Sequence, residues 1–149
     1  MDSLYSCQQT VLNTMTEKSW YFPSSKVELT HMVENKSVYV LFYGKELIGA
    51  ATFLVVRDSL AYSYLNSSNI VSIEDTFILP SHQHQGLQKK LWRYSMKAIG
   101  EKYNYFCTVH PDNLASLYSA FDLGFLVEGY GFPYAGAPRL FLKKAKDNM

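Results

Sequence analysis

Residues 78–92, ILPSHQHQGLQKKLW, run from the end of an apolar segment through a polar turn into an amphipathic one. The turn holds His82, Gln83, His84, Gln85 and Gly86 and no acidic residue. Three chemistries suit that inventory: a metal site, a phosphate cradle, or an ordinary surface turn. His82 and His84 stand two apart, but no cysteine or carboxylate is spaced to complete a site, so no metal is expected. A nucleotide P-loop would need Gly-Lys-Ser/Thr, and a dinucleotide fingerprint three glycines; neither is present. An anion cradle fits better. A turn that opens a helix offers free N–H groups and the positive end of the helix dipole, and Gly86 lets the backbone come close to a ligand.

Just upstream, Glu74 and Asp75 interrupt the otherwise apolar stretch IEDTFILP. Such a pair is either two solvated charges on an exposed strand face or a working site. Strict alternation would place the two side chains on opposite faces of the sheet.

The elements around these residues follow from periodicity and punctuation. Residues 5–18 carry Tyr5, Val11, Leu12 and Met15 at helical spacing. Ser25 with Glu28 is a capping-box signature opening a short helix to about Asn35. SVYVLFYGKELIGAATFLVV reads as a hairpin turning at Gly44-Lys45-Glu46, and NIVSIEDTFIL as a further strand ending at Pro80. A helix from about Gln85 to Glu101 has Leu87, Leu91, Tyr94, Ala98 and Ile99 on one stripe. YNYFCTVH is a strand, and PDNLASLYSAFDLGF a helix capped by Asn113 or Asp112 and stopped at Gly124. Strands over about 125–131 and 138–144 close the sheet. Helices and strands alternating in this way make one α/β or α+β domain over residues 1–149.

Taken together, approximately residues 5–144 resemble the GCN5-related N-acetyltransferase (GNAT) family. Gln83-His84-Gln85-Gly86-Leu87-Gln88 is similar to its motif Gln/Arg-x-x-Gly-x-Gly/Ala, which cradles the pyrophosphate of acetyl-coenzyme A. Asn113, Ser116 and Gly124-Phe125 match the family's Asn, small residue and Gly-Phe about 25 residues on. The resemblance implies a mixed, mostly antiparallel central sheet flanked by helices. This chain has no room for the family's usual first strand, so either the sheet is one strand short or another segment fills that edge. Gln88 replaces a glycine or alanine, so its side chain must point away from the phosphates or the cofactor sits differently. His84 replaces a glycine and could donate to a phosphate.

The stretch Glu74-Asp75-Thr76-Phe77 resembles the Glu-Asp-x-Phe segment of spermidine/spermine N-acetyltransferases. That likeness implies Glu74 as the catalytic base, acting through water, and Asp75 as a residue binding a cationic acceptor. A β-bulge in the family's strand would relax the objection from alternation. The chemistry requires such groups, because a lysine-type amine with pKa about 10.4 is neutral only about once in 2,500 at pH 7, a cost of roughly 4.6 kcal/mol. Implied for the acetyl-coenzyme A site are Ile78, whose neighbouring backbone amides would polarise the acetyl carbonyl, and Gln83, His84, Gln85, Gly86, Leu87, Gln88, Lys89, Asn113 and Ser116. Trp20, in the loop that walls the acceptor site in the family, is a candidate for substrate binding.

Many family members place a tyrosine as general acid seven residues after the motif asparagine; here that position is Ala120. Leu114, Leu117, Tyr118 and Phe121 form one helical stripe read as a core face, which makes Tyr118 a packing residue. Tyr134 is the remaining candidate beside the thiol.

Composition narrows the setting. The 149 residues are 48% hydrophobic and 15% aromatic with a net charge of +1, which suits a single packed core and gives no footprint for nucleic acid or an anionic membrane. Cys7 and Cys107 form no disulfide framework. The apolar runs fall short of the ~18 residues of a membrane helix, and no secretory signal is visible; a cytoplasmic protein is expected. The function expected is acetyl transfer from acetyl-coenzyme A to the amine of a small cationic amine or amino compound, by a monomer or homodimer. The alternative is a non-catalytic module that binds coenzyme A or a partner protein.

Overall fold

A computed structural model describes residues 2–15, 20–21, 23–56, 70–134 and 137–145. Along the chain come α1 (Asp2–Thr14), α2 (Lys26–Glu34), β1 (Val38–Tyr43), β2 (Glu46–Val56), β3 (Ile70–Ile78), α3 (Leu87–Ile99), β4 (Asn104–Val109), α4 (Leu114–Asp122), β5 (Leu126–Tyr134) and β6 (Ala137–Lys144). The strands form one sheet in the order β1-β2-β3-β4-β6-β5. Every neighbouring pair is antiparallel except β3–β4. This is the mixed, mostly antiparallel sheet expected, with four helices. Among the described residues no strand lies outside β1.

Neighbouring residues on β2 separate the two faces. Ala51 packs with Leu91, Trp92 and Met96 of α3 and with Leu117 and Ala120 of α4. Ala50 packs with Leu4, Cys7 and Val11 of α1 and with Leu29 of α2. Because successive side chains point to opposite sides of a strand, α1 and α2 cover one face and α3 and α4 the other.

The Ser25 capping box is present, with reciprocal bonds of 3.2 Å between Ser25 and Glu28. On α1 Val11 is buried and Tyr5 and Met15 pack against the same cluster, with Leu4, Cys7 and Gln8 buried beside them; the helix ends at Thr14. The helical phase needs correction on α3 and α4. On α3 the buried residues are Leu91, Trp92, Ser95 and Met96, while Tyr94 is 70% exposed. The larger Trp92 and Met96 set the phase, and Tyr94 sits nearly opposite.

On α4 the expected core face holds for Leu117 and fails for Leu114, Tyr118 and Phe121. Leu117 and Ala120 are buried, whereas Tyr118 is 61% exposed and Leu114 and Phe121 are also exposed. The sheet side of α4 takes the small Ala120 together with Leu117, and the larger apolar side chains are left outside.

Candidate active site

β3 and β4 are parallel neighbours only over Ile70–Ser72 and Asn104–Phe106. Beyond those pairs the strands diverge, and the wedge between them opens into a cavity of about 720 Å³. β3, β4, the turn before α3, the start of α4 and the loop before α2 all contribute to its wall.

Glu74 and Asp75 both line this cavity. Ala51 pairs with Thr76 and Phe53 with Ile73, so two steps along β2 match three along β3. The extra residue is a bulge at Glu74-Asp75. Upstream of it, Val71 and Ile73 face α3, and Glu74 shares the other phase with Ser72, whose Oγ donates to Glu74 Oε1 at 2.7 Å. Downstream, Thr76 accepts from Trp92 Nε1 of α3 at 3.2 Å, so Asp75 and Phe77 face α1. Both carboxylates are thereby turned to the α1 side.

Asp75 is 4% exposed. Gln8 Nε2 donates to its Oδ2 at 2.6 Å, Ser24 N–H donates to the same oxygen at 3.1 Å, and the Tyr21 hydroxyl donates to Oδ1. Burial raises its pKa above the ordinary carboxylate value, with the bonds from Tyr21, Ser24 and Gln8 pulling the other way. Tyr21 is held protonated by burial and by the facing carboxylate. Trp20 lines the cavity, and its ring meets that of His110 at 6.0 Å between centroids, tilted by 34°.

The turn that follows is locked by Gln83, whose Nε2 donates to the Ile78 carbonyl at 2.9 Å. His84 and Gly86 have φ of 64° and 72°, and Gly86 is the N-cap of α3 with no side-chain cap. A Cβ built on Gly86 meets nothing within 4 Å, so the helix start faces open space. First-turn N–H groups lacking a capping side chain are donors for an anion. Leu79 N–H donates across to Ile48 O of β2 at 2.7 Å. Amides alternate along a strand, so the Ile78 N–H is turned to the opened β4 side. The wedge and the amide-lined turn fit an extended thioester arm and a diphosphate.

Gln88 reaches across the cavity wall to α4, its Nε2 donating to Ser116 Oγ at 3.1 Å. Asn113 caps α4 by accepting from Ser116 N–H at 3.4 Å. Gly86, Leu87, Gln88, Asn113 and Ser116 all line the cavity, with Gln83 and His84. Lys89 does not; its Nζ pairs with Asp122 Oδ2 of α4 at 3.2 Å. Gln85 is exposed on the turn. The side chain of Tyr134 lies outside the described residues.

Among the lining residues that the sequence reading gave no role are Cys107 and Arg139. Cys107 is buried in the wall, and burial alone pushes its thiol pKa well up, so it is no ready nucleophile. Arg139 of β6 is 2% exposed and also lines the cavity. The signal for it was an arginine in the alternating run Ala137-Pro138-Arg139-Leu140-Phe141-Leu142, in the phase of Ala137.

A family model described as the acetyltransferase (GNAT) family matches residues 5–125. By sequence, no curated protein matches the chain. Among solved structures, the yncA protein of Salmonella typhimurium with its cofactor acetyl-CoA superposes with TM-score 0.73 at 15% identity, covering 99% of this chain and 91% of that one. The ribosomal-protein-S18-alanine N-acetyltransferase of Escherichia coli gives 0.73 at 15% identity over 99% and 88%. The NatC complex bound to Gag peptide and CoA gives 0.75 at 12% identity over 99% and 93%. At such identities these likenesses speak for the fold alone.

Proposed function

The chain belongs to the acetyltransferase (GNAT) family, and from that premise we propose that it transfers the acetyl group of acetyl-coenzyme A to the amine of a small amine or amino compound. The observation that carries this reading is the bulge at Glu74-Asp75, which turns both carboxylates to one side of the cavity. Acetyl-coenzyme A supplies the activated acetyl thioester. The amides at the start of α3, with Gly86, would hold its diphosphate, and the wedge between β3 and β4 its arm.

Glu74 is the base. It takes the proton that the ammonium must lose, through water, so that the nitrogen lone pair is free for attack. In the balanced reaction the C–N bond forms, the C–S bond breaks, and the thiolate released takes up a proton. The Ile78 N–H, turned to the cleft, is placed to stabilise negative charge on the acetyl oxygen. Asp75 adds negative potential near the amine, but Gln8, Tyr21 and Ser24 already hold its two oxygens. Its part is therefore to fix the acceptor wall as much as to contact the acceptor.

The reading is tested by following thiol release from acetyl-coenzyme A with a panel of polyamines, amino acids and short peptides, with calorimetric binding in parallel. Release stimulated by a small amine supports it, and release only with peptides moves the acceptor to protein. Tight binding without release would favour a non-catalytic coenzyme A module. Ala120 favours that second reading: it is 0% exposed and puts no hydroxyl where the family often has one.

A further inference from the structure

We propose that the outer flank of α4 and the face of β5 beside it form the contact between two copies of this chain. On α4, Leu117 and Ala120 are buried towards the sheet, and Ala115, Ser116 and Ser119 line the cavity. Leu114, Tyr118 and Phe121, spaced i, i+4 and i+7, make the remaining flank, which the helical wheel turns away from the cavity.

The sheet continues from β4 through β6 to β5, so that flank is turned towards β5. Val127 pairs with Leu142 and Tyr130 with Leu140, and both leucines pack with the cluster beneath α3 and α4. Cross-strand partners share a face of the sheet, which puts Val127 and Tyr130 on the α4 side. Phe132 joins them, its ring meeting that of Tyr130 edge-on at 5.5 Å. One surface therefore carries Leu114, Tyr118, Phe121, Val127, Tyr130 and Phe132, each between 42% and 61% exposed.

Four half-exposed aromatic rings at roughly 100 Å² apiece, with a leucine and a valine, leave about 500 Å² of apolar side chain in water. The largest such patch on an ordinary monomer is about 300–600 Å² and is often functional. A standard interface takes about 800 Å² from each partner, and in homodimers about 65% of it is apolar. The patch supplies that apolar share from one copy. None of its six side chains is charged, so it has nothing with which to recognise a nucleic acid, an anionic headgroup or a charged peptide. A second copy offers the same rings in return, and aromatic side chains are the usual anchors of such contacts.

The free edge of β5 is blunted by the bulge at Glu128 and by Pro133. The copies therefore meet through side chains rather than by pairing strands, with the α4 flank of each on the β5 rings of the other about a twofold axis. The cavity lies on the opposite flank of α4, so both cavities stay open in the pair.

Sedimentation equilibrium of the full chain, over a concentration series into the high-micromolar range, should give twice the 17.1 kDa mass of one chain. Tyr118→Glu and Tyr130→Glu, one on each element, should each return it to a monomer. Phe42→Glu, at a 60% exposed ring on the other edge strand, should leave the dimer intact. A far-UV circular dichroism spectrum matching wild type shows that a variant is folded; should Tyr118→Glu not fold, Tyr130→Glu decides. A wild type that stays monomeric, or that attaches to neutral phospholipid vesicles in place of self-association, overturns the assignment. So does a dimer that survives either tyrosine substitution in a folded variant, or one that Phe42→Glu dissolves. Acetyl transfer is read separately by thiol release, so either proposal can fail alone.

Discussion

Gln8 on α1 donates from Nε2 to Asp75 Oδ2 on β3 at 2.6 Å, and the same side chain donates to the Ser24 carbonyl at 2.9 Å. One buried amide therefore joins the first helix, the loop before the second and the bulged strand of the site. Asp75→Ala leaves the Gln8 amide, the Ser24 N–H and the Tyr21 hydroxyl without their acceptor, at about 1–3 kcal/mol for each group left unsatisfied. Water from the cavity recovers part of that, so denaturant unfolding should show a loss of about 3 kcal/mol. Asp75→Asn should lose less than the alanine variant. A loss below about 1 kcal/mol for alanine would mean that water replaces the carboxylate fully.

The same residue sets a pH dependence of stability. Burial holds Asp75 above its unfolded value of about 3.9, so between that value and the raised native one the folded chain binds more protons than the unfolded. The slope of unfolding free energy against pH is then negative. The contribution of Asp75 is full below pH about 4 and falls as pH rises through the native pKa. Melting temperatures of wild type and Asp75→Asn, taken from pH 4 to 8, should shift in favour of the variant with rising pH. A constant difference across that range would rule the titration out.

Glu74→Gln keeps the size of the side chain and an acceptor for Ser72 but cannot take a proton. Turnover should fall at least tenfold, with acetyl-coenzyme A affinity within about twofold of wild type, since a positioned base contributes about 10²–10⁴. An unchanged rate would remove Glu74 from the mechanism.

Gln88→Ala removes the bridge to Ser116 and leaves a better helix former in the first turn of α3. With the donor groove no longer spanned there, acetyl-coenzyme A should bind a few-fold more tightly, the scale of one hydrogen bond of about 0.5–1.5 kcal/mol. Calorimetry checks it, and weaker binding would show that the Gln88 amide contacts the donor itself.

Gly49 sits where β2 presses on the end of β3. A Cβ there would lie 2.6 Å from Ile78 Cδ1 and 2.7 Å from the Phe77 carbonyl oxygen. The second neighbour is backbone and cannot step aside without moving the strand. Gly49→Ala should cost about 1–3 kcal/mol and lower turnover by displacing the Ile78 amide; a variant as stable as wild type would mean that the strand end yields freely.

Much of this was settled by local signals. The order of elements, the Ser25 capping box, the Asn113 cap and the Gly86 turn rest on interactions within a few residues, so composition and spacing determine them. The site itself is non-local. The bulge that turns Glu74 and Asp75 the same way exists only in the register of β3 against β2. Arg139 joins them through the closure of β6 onto β4, and Gln8 reaches Asp75 from 67 residues away. Helical phase failed for a related reason: periodicity put Leu114, Tyr118 and Phe121 inside with Leu117, whereas the fit of α4 against the sheet kept Leu117 and chose Ala120 as its companion. What a side chain touches depends on how much room the opposite element leaves, and that is decided only when the layers meet.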